Sequence, residues 1–460
     1  MSTDQHGIIA KAARALSEIE SNELKATLVS TLFVFVLMAS YYILRPVRDA
    51  MASDWTDSEV SFLWNINFFV SAAIVSLYGL AVSRAKLKNV VPSIYAFFAL
   101  SFIASYVGMT AAGEFSLGSV TLPSFSFWSV HFDGMLIVFD DVFIDKAFYL
   151  WVSVFALFNV SVFWTFMADT FNPGQAKRLF GIIGAGASAG ALFGPAIPAL
   201  FAGILGLDTL MLIASISLMA VIPLVFYMYH LKATELGNSD LTADTSKAEI
   251  GGNWWQGFQS FVTNPYLLGI GVFILLYVFI GSFVYFEQKN LLADFSRAER
   301  TQILGSVDWL VNLVTFGMAF FLTGRIVGKV GMPTALALMP FLVGAGLLIL
   351  AFAPMLTVLL ALQVFRRGGN YGLTRPAREM LYTKVTQEER FKAKPVIDIV
   401  VYRGGDAISG TLFAFLTDGI GLGLAAVALV GSAIAAAWGG TGIWLGKKFD
   451  NKKGLGDEHG

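Results

Sequence analysis

The sequence predicts an all-α polytopic membrane protein with twelve transmembrane helices in two six-helix repeats. Three observations predict it. The 460-residue chain is 56% hydrophobic and only 14% charged, where ordinary globular domains carry about 25% charged residues. Its mean hydropathy is +0.69, too oily for a soluble fold of this size. Apolar runs of spanning length, roughly 20 residues, recur along the chain and fall into two groups of six.

The first group covers residues 27–48, 62–82, 90–112, 147–169, 180–203 and 208–230. The second covers 266–288, 304–324, 333–353, 355–383, 395–417 and 420–445. Between them, KATELGNSDLTADTSKAEIGGNWWQ (232–256) is rich in Ser, Thr and Asp and reads as a linker. Trp254 and Trp255 at its end read as interfacial anchors. The chain therefore divides into an N-terminal segment (1–26), a first bundle (27–230), a linker (231–265), a second bundle (266–445) and a tail (446–460). Segment 1–26 mixes Asp4, Glu18, Glu20 and Glu23 with Lys11, Arg14 and Lys25. It lacks the basic start and apolar stretch of a signal peptide. Two readings stand for it, a short amphipathic cytoplasmic helix or a frayed tail.

Lys and Arg in short loops set orientation. One side holds Lys11, Arg14, Arg84, Lys86, Lys88, Lys177, Arg178, Arg325, Lys329, Arg390, Lys392, Lys394, Lys447 and Lys448. The other is acidic, with Asp54, Asp57, Glu59, Glu114, Asp133, Asp140, Asp141, Asp208 and Asp418. The basic side is expected to be cytoplasmic, with both termini inside a bacterial inner membrane. The two halves also resemble each other. A short basic turn follows the second helix (Arg84, Lys86) and the eighth (Arg325, Lys329). The spacing of such markers implies an insertion in the first half, which the long loop 113–146 can hold. Two parallel six-helix repeats are the mark of a major facilitator-like architecture.

Composition also excludes function classes. There is no Cys, and the four His (His6, His131, His230, His459) are scattered. That argues against a metal centre, haem or any other cofactor. A net charge of −1 gives no sign of a nucleic-acid partner. The expected partners are the lipid bilayer and a small anionic solute, with the protein a monomer and not an enzyme.

Charges at helix depth are costly in hydrocarbon, so each should face a wet cavity or a partner. Helix 1 carries Arg45, Arg48 and Asp49, and helix 4 carries Asp169. Helix 7 carries Glu287 and Lys289. Helix 10 carries Arg366, Arg367, Arg375, Arg378 and Glu379. Asp308 lies on helix 8, and Asp398, Arg403 and Asp406 lie on helix 11. In a major facilitator fold helices 1, 4, 7 and 10 line the central cavity, and most of these charges sit there. The bland alternative is that some lie at helix ends and reach the interface.

One pattern recurs, Arg45-Pro-Val-Arg48-Asp49 on helix 1 and Arg375-Pro-Ala-Arg378-Glu379 on helix 10. Arginines at i and i+3 share a helical face. The proline frees backbone carbonyls that cavity water can satisfy. The neighbouring acid can hold an arginine when no solute is present. The planar fork of arginine suits phosphate and carboxylate, so the pattern points to a phosphate-bearing or polycarboxylate solute. Asn65, Asn67 and Asn312 read as hydrogen-bonding glue between helices. The run GIIGAGASAGALFG (181–194) has no preceding strand and no Lys-Ser/Thr, so it reads as a packing surface rather than a phosphate loop.

Several islands resemble the nucleotide transporter family, the ATP/ADP translocases of plastids and obligate intracellular bacteria, within the wider major facilitator group. Leu44-Arg45-Pro-Val-Arg48-Asp49 is similar to its L-R-D-x-K-D element. Phe163-Trp-Thr-Phe-Met-Ala-Asp169-Thr, then Gln175-Ala-Lys177-Arg178-Leu-Phe180 and Gly184-Ala-Gly186-Ala, is similar to F-A-N-E-I-T, E-A-K-R-F-Y and G-L-G-A. Tyr371-Gly-Leu-Thr-Arg375-Pro-Ala-Arg378-Glu379-Met380-Leu-Tyr382, then Lys392-Ala-Lys394 and Ile397-Asp398 to Arg403, resembles Y-S-L-F-D-P-T-K-E-M-A-Y, K-G-K and I-D to R. The resemblance implies that Arg48 and Arg378 match basic residues that contribute to nucleotide binding, and that Asp169 matches the helix 4 acid. Both basic positions are lysine in the family, the helix 4 acid is Glu, and Tyr285 stands where members with ATP/ADP activity carry a helix 7 Glu. Glu287 lies two residues on, on a different helical face.

The resulting expectation is a secondary transporter for an anion, with ATP/ADP-type exchange as the narrower reading. Arg48 and Arg378 bind the solute, Arg45 and Arg375 support them, and Lys289 adds a charge. Asp49, Asp169 and Glu379 pair with the arginines in the empty state. Glu287, Asp308, Asp398 and Arg403 are candidates for coupling. The alternatives are a permease for another anionic metabolite or a lipid or cell-wall fragment, a membrane enzyme on a lipid phosphate, and a non-transporting sensor or assembly partner. The enzyme would need a nucleophile or metal motif that the chain lacks.

Overall fold

The computed structural model describes residues 19–84, 87–112, 141–238, 256–321, 331–386, 393–394 and 396–451, with four short strands between 119 and 138. The chain begins with α1 (Leu24–Met51), α2 (Asp57–Arg84) and α3 (Leu87–Ala112). Four strands follow, β1 (Ser119–Leu122), β2 (Phe125–Phe127), β3 (Val130–Phe132) and β4 (Met135–Val138). β1 pairs antiparallel with β4 and β2 with β3, in one continuous register. The loop therefore carries two antiparallel strand pairs, where hydropathy alone shows only a loop. Then come α4 (Asp141–Thr170), α5 (Pro173–Met219) and α6 (Val221–Thr234). The second half holds α7 (Gln256–Thr263), α8 (Pro265–Leu291), α9 (Arg297–Phe321), α10 (Met332–Phe352), α11 (Leu356–Gly369), α12 (Arg375–Leu381), α13 (Tyr402–Ala414) and α14 (Leu424–Asn451).

The expected spans overlap helical segments among the described residues, with ends shifted by a few residues. Seven helical runs among the described residues are long and apolar enough to cross a membrane, and the run Gly174–Thr234 holds two expected spans. Large apolar side chains such as Phe193, Ile204 and Phe352 are exposed, Phe352 by 84%. In a bilayer these face lipid rather than water, so their exposure costs nothing. The chain is a multi-pass α-helical membrane protein.

The shifted ends have physical causes. α5 begins at Pro173, not at 180, because a capping box starts it. Asn172 Oδ1 accepts from the Gln175 backbone N–H at 2.9 Å, and Gln175 Oε1 accepts from the Asn172 N–H at 3.1 Å. Such a cap fixes a helix start independently of hydropathy. The break between the fifth and sixth spans is Gly206, with φ 74°, a conformation that suits glycine alone. α6 runs on to Thr234 and α7 begins at Gln256, both inside the expected linker 231–265, whose residues 239–255 lie outside those described. The tenth span is not one α-helix: α11 passes into a π-helical segment, Asn370–Thr374, before α12. The eleventh has π segments at Val396–Val401 and Phe415–Gly419, on either side of α13. Single π turns inside helices recur at functional sites.

The chain forms two compact units. The first contains α1, α2 from Ala73, α3–α6 and Arg297–Gly305 of α9. The second contains Ala52–Ala72, α7, α8, α9 from Ser306, and α10–α14. Two segments thus group differently from the division at 27–230 and 266–445. Ala52–Ala72 packs with the second unit and Arg297–Gly305 with the first.

In the first unit, α5 lies directly on α1 through the glycine run. A Cβ on Gly186 would lie 2.6 Å from the Thr31 carbonyl oxygen, and one on Gly194 would lie 2.8 Å from Ala39 Cα. One on Gly190 would collide with the Phe35 carbonyl. These glycines at four-residue spacing let the two backbones touch, as expected for close membrane helix pairs. Beside this seam, Phe33 packs edge-on against Phe163 (4.9 Å between centroids) and Tyr95 (5.6 Å), geometries that aromatic pairs prefer. The second unit repeats the device between α10 and α14. Gly442 meets the Leu336 carbonyl, and Gly446 meets Pro333.

Candidate functional site

The first unit holds one arginine–acid element. Pro46 sits inside α1 without ending it, and Arg48 and Asp49 follow in the last turn of the helix. Arg48 Nε and Nη2 donate to Asp49 Oδ1 at 2.9 and 2.6 Å. Its Nη1 donates to Ser153 Oγ on α4 at 3.1 Å, and its guanidinium lies 5.3 Å from the centre of the Tyr149 ring. Arg45 approaches the same carboxylate at 3.7 Å. Asp49 therefore neutralises Arg48, while Ser153 and Tyr149 fix the plane of the fork. Asp169 does not join this group. It pairs with Lys232 of α6 at 2.9 Å, because Asp169 lies at the far end of α4, where α6 also ends. The expected pairing of Asp169 with an arginine is corrected accordingly.

The second unit holds the matching element. Arg378 Nη2 donates to its neighbour Glu379 at 3.1 Å, and Lys394 donates to the other oxygen of that carboxylate at 2.6 Å. Arg375 and Arg378 do not share surroundings: Arg378 is buried and Arg375 is exposed. The expectation that Arg375 supports Arg378 as Arg45 supports Arg48 is not met. The two residues sit on a short helix that begins directly after a π segment.

One turn before that π segment lies a cluster whose charge is legible in the sequence but which sequence reasoning does not assign to the site. Arg366 and Arg367 are both buried. Arg367 pairs with Asp308 of α9. Arg366 Nε and Nη2 donate to Gln363 Oε1 at 3.2 and 2.6 Å. Gln363 Nε2 in turn donates to Gln288 of α8 at 2.8 Å. Asn370 Nδ2 donates to the Tyr277 hydroxyl at 3.0 Å. The signal that points to this cluster is the adjacent Arg366-Arg367 pair itself, since two neighbouring cations in a spanning helix need two compensations.

The other candidates have the following surroundings. Lys289 is held by Asp57 at 2.9 Å and donates to the Trp55 carbonyl. The two form a buried ion pair. Asp308 is committed to Arg367, and Arg403 lies 3.7 Å from Asp406. Glu287 is buried, with no hydrogen bond to its Oε1 among the described residues. The Asp398 side chain lies outside those described. Asn65 donates to Thr411 Oγ1 of another helix, as the glue reading expects, whereas Asn312 donates to Asp308 O and Asn67 accepts from Ser71 within their own helices. Tyr285 packs against the rings of Trp64 and Phe286. A cavity of about 410 Å³ lies against α10 and α11, lined by Met339, Val343, Gly346, Val358, Leu362 and Phe365 among others. Its wall is apolar, so it offers nothing to orient an anion.

No protein-family model and no curated protein matches the chain. Among solved structures it is similar to a bacterial homologue of the human lysosomal transporter Spinster, crystallised in an inward-facing and unoccupied conformation. The TM-score is 0.55 at 15% identity, over 94% of this chain and 97% of that one. The likeness carries the fold alone. The resemblance to nucleotide transporters rests on the motif islands alone.

Proposed function

We propose that the protein is a secondary transporter for an anionic solute, of which a phosphate-bearing one such as a nucleotide is the favoured class. Alternating access is the working mode of this fold. The observation that carries the reading is the repeated arginine–acid element. Each unit holds, inside a helix, an arginine bonded to the acid that follows it, Arg48 to Asp49 and Arg378 to Glu379. The acids keep the guanidinium groups neutralised when the solute is absent, and an arriving oxyanion can compete for the same N–H donors. That exchange of partners gives a physical reason for coupled exchange. The motif islands add nucleotides to the candidates, and a different anionic metabolite is the second reading, favoured by Tyr285 in place of an acid. The basic loops favour an inner-membrane location with both termini cytoplasmic.

The test is uptake of labelled ATP, ADP, sugar phosphates and polycarboxylates into proteoliposomes. Arg48→Ala and Arg378→Ala are expected to abolish uptake of whichever anion the wild type carries, with thermal unfolding unchanged. Normal uptake by both variants would sink the site assignment. Orientation is read separately: a C-terminal green fluorescent protein fusion should fluoresce in a bacterial host, and a dark fusion with an active periplasmic phosphatase fusion would reverse it.

A further inference from the structure

We infer that Arg366 is the core of a second anion-binding subsite, inside the second unit, that receives a carboxylate or phosphoryl group of the transported solute. The inference rests on the anion reading above and adds a binding group to it. Two neighbouring arginines have opposite fates. Arg367 has a carboxylate, Asp308, within ion-pair distance. Arg366 is buried to 6% exposure, yet its hydrogen-bond partner is the neutral Gln363 Oε1, which takes Nε and Nη2. Its Nη1 has no hydrogen bond among the described residues. Arg367, Tyr277, Tyr371 and Tyr402 lie among its neighbours. A buried cation without a counter-ion is strongly unfavourable, so a chain that keeps one there has a use for an arriving negative charge.

The surroundings are rich in donors. The Tyr277 hydroxyl accepts from Asn370 Nδ2, which leaves its own proton to give. Trp438, 5.6 Å from Tyr277 between ring centroids, is fully buried, and its Nε1 has no acceptor among the described residues. Gly281 makes room beside Arg366, since a Cβ there would lie 3.1 Å from Nη1. Two π segments border the cluster: Asn370–Thr374 follows α11 directly, and Val396–Val401 precedes Tyr402. Donors in excess, no acid partner for Arg366 among the described residues and irregular helix on two sides together describe a receptor for an oxyanion. Arginine presents two parallel N–H groups to such a group. Gln363 presents its carbonyl to Nε and Nη2, which fixes the fork.

The test uses the purified full-length protein in nanodiscs, with citrate and pyrophosphate as probes and potassium chloride at matched ionic strength as the control. Thermal unfolding followed by tryptophan fluorescence reads binding. Wild type should be stabilised by at least one probe, and the preferred probe tells carboxylate from phosphoryl recognition. Arg366→Gln should weaken that probe's apparent affinity by at least about tenfold, the scale of a charge-assisted hydrogen-bond pair. Arg366→Lys keeps the charge and guards against misfolding; losing the fork, it should bind severalfold more weakly while melting like wild type. The chain has no native cysteine, so Arg366→Cys can be modified at that site alone. A cationic methanethiosulfonate should restore part of the response, and a neutral one should not. A response that survives Arg366→Gln but disappears in Arg48→Gln overturns this inference and leaves the anion reading standing. No response of the wild type to either probe overturns both.

Discussion

Replacing Gly190 by leucine is expected to abolish assembly of the first unit. At Gly190 the backbone of α1 lies where a side chain would begin, against the Phe35 carbonyl and 3.0 Å from Met38 Cβ. An isobutyl group can be placed only by driving α1 and α5 apart, which also opens the contacts at Gly186 and Gly194. In a membrane there is no hydrophobic drive between helices to offset lost packing. Gly190→Ala, adding a single methyl against backbone, should itself destabilise by about 1–3 kcal/mol, the usual cost of overpacking. The measurement is recovery of monodisperse protein on size exclusion, with thermal melting for the alanine variant. Gly184 provides the control. It lies on the same helix, with nothing within 4 Å of the place a methyl would take, so Gly184→Ala should melt like wild type. Equal effects at Gly184 and Gly190 would show that helix propensity, and not the seam, governs.

The second large effect is expected from Asp308→Ala. Arg367 and Asp308 have side chains only 8% and 3% exposed, and Arg366 stands next to Arg367 in sequence. Removing the acid leaves two buried guanidinium groups with no carboxylate between them. Breaking a buried pair from one side typically costs about 3–5 kcal/mol, and the same sign and size are expected here. Because replacing both partners by apolar residues is often neutral, Arg367→Met with Asp308→Leu should recover most of the loss. Chemical denaturation of the single and double variants measures the coupling. A single variant as stable as wild type would mean that water or lipid head groups reach Arg367. The same cycle bears on transport, since Asp308 engaged with Arg367 is not free to carry a proton alone.

Much of the fold is legible in the sequence because membrane insertion is a local property. A run of apolar residues of the right length has one stable conformation in hydrocarbon, where every backbone group must be satisfied within the segment. The runs at 27–48 and 266–288 therefore mark their helices to within a few residues. Sequence and structure part where something other than hydropathy sets the boundary. The Asn172 capping box starts α5 ahead of its apolar run, and the π segment after α11 interrupts a helix that reads as continuous. The strand pairs across residues 119–138 escape a reading by hydropathy for the same reason. Their strands are held by pairing between segments rather than by any one stretch.

The site is legible in part. Arg48–Asp49 and Arg378–Glu379 are neighbours in sequence, so the chain alone places their charges together. Asp169, Lys289 and Asp308 differ, because their partners are distant in sequence. Lys232, Asp57 and Arg367 come from other helices, and only packing brings them within ion-pair range. The sequence by itself determined that this chain lives in a bilayer, that it is built of two helical halves, and that arginines at helix depth must be compensated. Tertiary structure alone decided which arginines meet a carboxylate from another helix, as Arg367 does, and that Arg366 meets a neutral amide among the described residues. The physical reason is that desolvation depends on a residue's own helix, whereas charge pairing depends on which helix packs beside it.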